Sequence, residues 1–119
     1  MEKKDYLSKV GEAKIDPKKV EKVNKLYGGA MPDIIQRIVS YGQESVFFDD
    51  GVRILSYEEI IDAEKDLHIE FSRKGIIPIA DCGENDFIVY HFKDNIWSKF
   101  NIVDESVFKK KKSIEELLK

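Results

Sequence analysis

The stretch "GIIPIADCGENDFIVYHF", residues 75–92, decides how this chain folds. Two apolar runs, 76–80 and 87–92, flank Asp81-Cys82-Gly83-Glu84-Asn85-Asp86, three of them acidic and one a thiol. Such a loop fits a metal cradle, a thiol active site, a surface offered to another protein, or a plain turn. The flanking runs are short and rich in isoleucine, valine and aromatic residues, so they read as strands. The second is apolar at nearly every position, as a central strand covered on both faces would be.

Working outward, residues 96–102 alternate. Ile96, Ser98, Phe100 and Ile102 fall on one side, and Trp97, Lys99, Asn101 and Val103 on the other, which predicts a strand with one drier face. Upstream, "SVFFDDGVRILS" places two strand-favouring runs around Asp50-Gly51, a strong hairpin signal. In "SYEEIIDAEKDLHIEF", Ser56 and Glu59 have capping-box spacing. Tyr57, Ile60, Ile61, Glu64, Leu67, His68 and Phe71 then recur at helical spacing. This predicts a helix over 57–71 that packs Ile60, Ile61, Leu67 and Phe71 onto the sheet.

Nearer the N-terminus, Asp16 can cap and Pro17 can open a helix over 17–27, with Val20, Val23 and Tyr27 inward and Gly28-Gly29 as the stop. Pro32 opens another over 32–41, carrying Ile34, Ile35, Ile38 and Val39. Residues 1–15 read as a short basic extension. The lysines at 109–112 read as a solvated linker to a short last helix, where Ser113 and Glu116 again have capping-box spacing. Strands joined by short turns pair antiparallel, so the predicted fold is one α+β domain with helices packed on an antiparallel sheet.

Composition narrows the class. The 119 residues are 42% hydrophobic and 36% charged, ordinary for a folded domain. A single cysteine excludes an internal disulfide framework and suits a reducing compartment. With no signal-like apolar run at the start and no stretch near the ~20 apolar residues of a membrane span, a cytoplasmic protein that stays off membranes is expected. Residues 43–105 carry a net −9, whereas 1–26 and 106–119 each carry +3. An acidic body argues against direct nucleic-acid binding and is compatible with a basic protein partner.

No catalytic constellation emerges. His68, His91 and Cys82 lack metal-ligand spacing to one another, and the 81–92 segment lacks the oxygen donor at position 3, the glycine at 6 and the glutamate at 12 of a calcium loop. Cys82 sits among Asp81, Glu84 and Asp86, whose charge opposes a thiolate. Glu84 and Asp86 form a close carboxylate pair, the one candidate for hydrolytic acid/base work, but a hairpin tip solvates them. "YGGA" and "YGQE" do not match a phosphate-binding pattern. No metal, cofactor or catalytic residue is expected.

The order of pieces from residue 16 to 105, about three quarters of the chain, resembles the SUKH superfamily of fungal cell-wall-synthesis regulators and bacterial immunity proteins. "MPDIIQRIVSYG" is similar to its Leu-Pro-led helix ending in glycine, and "VFFDDGVRILSYEEI" to its hairpin running into a helix. "GIIPIADCGENDFIVYHF" and "IWSKFNIVDESVF" look like its strand, acidic glycine-bearing loop, strand and tail. Met31 stands in place of the usual leucine, and Gly83 is a single glycine where relatives often carry two or three. The resemblance implies a non-enzymatic scaffold that binds other proteins, most often a toxin domain, such as a nuclease, that it neutralises. Regulation or scaffolding of an endogenous protein is the alternative, and a small hydrolase the third. On this reading "DCGEND" is first a turn, and Asp49, Asp50, Asp81, Glu84 and Asp86 form a partner-binding face with Trp97 as its aromatic anchor. The oligomeric state stays open.

Overall fold

The computed structural model describes residues 1–118. In chain order it contains α1 (Lys3–Gly11), α2 (Pro17–Tyr27), α3 (Asp33–Tyr41), β1 (Val46–Phe47), β2 (Arg53–Ile54) and α4 (Tyr57–Leu67). Then follow α5 (Phe71–Lys74), β3 (Ile76–Gly83), β4 (Asp86–His91), β5 (Ile96–Asn101), β6 (Val107–Lys111) and α6 (Ile114–Leu118). The six strands form one sheet in sequence order, every neighbouring pair antiparallel. The fold is α+β.

Local signals account for the helix boundaries. The Asp16 carboxylate accepts from the backbone N–H groups of Lys18 and Lys19, Pro17 opens α2, and Gly28 closes it at φ 70°. Ser56 and Glu59 make a reciprocal capping box at the start of α4. The Tyr27 hydroxyl donates to the Ile60 carbonyl at 2.5 Å, locking α2 to α4.

β4 is buried on both faces. Phe87 and Val89 point one way and Ile88 and Tyr90 the other, and all four are within the core. On the Phe87 side, Phe100 meets the ring of Phe71 edge-on at 6.1 Å. On the Tyr90 side, Trp97 meets Tyr90 at 5.2 Å and shares a groove with Ile114 of α6.

Three expectations need correcting. Residues 1–15 are not a mere extension: α1 buries Tyr6 and Val10 against α3 and the first hairpin, with edge-on contacts from Tyr6 to Tyr41 and Phe48. The helix over 57–71 stops at Leu67, and His68, expected on its apolar stripe, is exposed in the left-handed region at φ 58°. The chain breaks there because the Glu64 carboxylate accepts from both the N–H and hydroxyl of Ser72, holding a separate α5 that swings Phe71 onto the sheet. Of the four side chains assigned to the sheet contact, Ile60 and Phe71 are fully buried, while Ile61 and Leu67 pack half-buried against the core. The lysine run is no linker but most of β6, an edge strand with Lys109 at φ 52° beside a register shift opposite β5.

Candidate functional site

In an antiparallel meander alternate turns fall at the same end of the sheet. The β1–β2, β3–β4 and β5–β6 turns therefore share one end. Together they carry Asp49, Asp50, Glu84, Asp104 and Glu105 and no basic residue, and Asp86 opens β4 beside them. Asp81 lies just below, on β3. Four of the five acids singled out from the sequence thus sit at this end, and the fifth borders it.

Each carboxylate is held differently. Asp49 and Glu84 are exposed. Asp50 is ion-paired with Lys3 of α1, which with the Val52 N–H holds its carboxyl below the usual range. Asp86 accepts from the Asn101 side-chain amide at 2.8 Å, tying the second turn to the third. The Ser106 hydroxyl, and then the Ser106 N–H from which Asp104 accepts, hold the Asp104 carboxyl below its usual range, and Glu105 pairs with Lys74. Asp104 and Glu105 were not singled out in the sequence; recognising 107–111 as a strand would have placed them.

The quoted loop is a two-residue hairpin. Glu84 at φ 52° and Asn85 at φ 69° both occupy the left-handed region, as a type I′ turn requires, and Gly83 precedes them at φ 86°. Cys82 is half-buried, and burial, more than Asp81, Asp86 and Asp50, pushes its thiol pKa up, while Lys99 opposes. The half-buried His91 ring bonds Ser98 Oγ at 2.7 Å, and its pKa is lowered mainly by burial. Among the described residues no group of three His, Cys, Asp or Glu side chains is placed to hold a metal ion.

Trp97 is misassigned as an anchor. Only 3% of it is exposed, because the alternation of β5 turns it into the core beside Tyr90 and opposite Lys111. The exposed aromatic near the acidic end is instead Phe47, 66% exposed, with the Arg53 guanidinium 5.8 Å from its ring centre. Register pairs Phe47 with Arg53, and Arg53 with Asp81.

Arg53 is the hub of this corner. It pairs with Glu59 of α4, lies 3.4 Å from Asp81, and donates to Ser45 at 3.2 Å. Burial pushes the Glu59 carboxyl up, but bonds from Ser45, the Ser56 N–H and Arg53 outweigh it and hold the pKa low. No protein-family model and no curated protein sequence matches the chain. Among the described residues no helix is long and apolar enough to cross a membrane.

Proposed function

We propose that this chain is a non-catalytic protein-binding domain whose acidic sheet end meets a basic protein partner. The observation that supports it is the gathering of five acids on three turns at one end of the sheet, with Asp86 beside them; Lys3 and Lys74 pair with Asp50 and Glu105, and Asp49, Glu84 and Asp104 stand exposed. Concentrated charge of one sign speeds encounter with an oppositely charged surface and rejects like-charged ones. The resemblance to the SUKH superfamily favours, as partner, a toxin domain that the chain occludes in the cytoplasm, and a basic nuclease suits the charge.

Glu84 supports this over hydrolysis. It stands exposed on a hairpin tip, while its neighbour Asp86 is engaged by Asn101. A general acid needs a site that shields it from water.

The test uses the partner that co-purifies with the tagged chain from its native cell. Asp49 and Glu84 are exposed, so Asp49→Lys with Glu84→Lys should leave folding intact. Association should slow roughly tenfold or more at low ionic strength, and the two rates should converge at high salt. Equal rates at both ionic strengths would remove the acidic end from recognition.

A further inference from the structure

We infer that a cleft between α4 and the sheet is a socket for one lysine or arginine side chain of the protein partner. The inference rests on the reading of the chain as a binder of a basic protein, and it names where a single residue of that protein is held. The cleft has a volume of about 170 Å³. Small-molecule sites usually run from roughly 300 to 1,000 Å³, so the space suits one long side chain rather than a metabolite.

Its walls have two characters. Leu55, Ala63, Leu67 and Phe87 make them apolar, and Glu59, Asp66 and Asp81 are their acids. Arg53 also lines the cleft, but its charge is engaged by Glu59 and Asp81. One positive charge against three negative leaves the lining acidic, and Asp66 has no ion-pair partner among the described residues.

That combination selects an occupant. An anion would be repelled by the net charge. A wholly apolar group would strip water from the carboxylates without replacing it. The carboxylates are not grouped to hold a metal ion. A lysine or arginine buries an aliphatic stem and presents a cationic head, matching apolar walls with an acidic lining. Asp81 joins the cleft to the acidic sheet end, so one basic surface can engage both.

The test is a titration of isotope-labelled protein, followed by backbone amide shifts, with Nα-acetyl-lysine methylamide, Nα-acetyl-arginine methylamide and Nα-acetyl-norleucine methylamide as probes. The lysine and arginine probes should give saturable shifts at Ala63, Leu67, Asp81 and Phe87, and the norleucine probe, which has the stem without the charge, should not. Asp66→Lys places the protein's own ammonium at the cleft and should weaken binding roughly tenfold. Asp66 is exposed near the C-terminal end of α4, where a lysine suits the helix dipole, so the variant keeps its fold. Absence of saturable shifts at the cleft, an equal response to norleucine, or unchanged affinity in Asp66→Lys would overturn the inference. If the cleft fails this test while Asp49→Lys with Glu84→Lys still slows partner association, the socket is refuted and the acidic-end reading stands.

Discussion

Replacing Arg53 by methionine keeps most of the side-chain volume and removes the cation that joins β2 to α4 and β3. The side chains of Arg53, Glu59 and Asp81 are 23%, 34% and 30% exposed, between surface pairs worth ~0–1 kcal/mol and buried ones whose breakage costs ~3–5 kcal/mol. A hydrogen bond to a charged group contributes about 1.5–3 kcal/mol before the discount for solvent, and the 3.4 Å contact to Asp81 adds little. Arg53→Met should therefore cost roughly 1–2.5 kcal/mol at neutral pH, a fall in Tm of roughly 4–10 °C for a domain of this size. Glu59 gives the pH dependence. Its folded pKa is depressed, so its contribution is complete above the ordinary glutamate range and is lost as pH falls through the folded value. Protonated Glu59 no longer needs Arg53, so the wild-type and variant stabilities should draw together in acid. Urea unfolding at neutral pH and at about pH 3 measures this, with Lys25→Met as the control. Lys25 pairs with Glu21 at 75% and 67% exposure and should cost under ~1 kcal/mol at either pH. An Arg53→Met penalty no larger than the control, or one independent of pH, would refute the reasoning.

Trp97→Ala should cost about 3–5 kcal/mol in urea unfolding, because its ring is core; a loss below ~1 kcal/mol would return Trp97 to the surface. Gly29→Ala would set a Cβ 2.5 Å from Phe92 Cγ and should cost about 1–3 kcal/mol, with partial rescue by Phe92→Ala, which removes the clashing ring, in a double-mutant cycle. Strict additivity in that cycle would contradict the contact. Glu84→Asn with Asn85→Gly supplies the residues a type I′ turn favours and should raise stability by about 0.5–1 kcal/mol; lower stability would mean the turn is of another type.

Legibility followed the range of the interaction that sets each feature. α2 was readable because Asp16, Pro17 and Gly28 form its ends within the helix's own sequence. The strands around "DCGEND" were readable because isoleucine and valine dominate them, although β3 runs on to Gly83. α1 was not, since only Tyr6 and Val10 are buried on it and the rings that receive Tyr6, Tyr41 and Phe48, lie far along the chain. The break after Leu67 was hidden for the same reason. The sequence continues an apolar stripe through Phe71, and only the Glu64 bond to Ser72 shows that the stripe spans two helices.

β6 shows why composition misled most where it mattered for the site. An edge strand exposes unpaired backbone groups, and lysines and a bulge are the devices that keep such an edge from pairing with another chain. The lysines at 109–112 therefore look like a solvated linker, whereas Lys109, Lys110 and Lys111 serve as a protected edge. Reading them as linker removes the sixth strand, and with it the β5–β6 turn that brings Asp104 and Glu105 beside the first two turns. The same strand explains Trp97: Lys111 lies opposite it across β5 and β6, and α6 follows to pack on both strands, so the tryptophan is enclosed by a segment that composition assigned to solvent. The acidic end and the buried tryptophan are two consequences of one strand, and a variant that unpairs β6 should disturb both together.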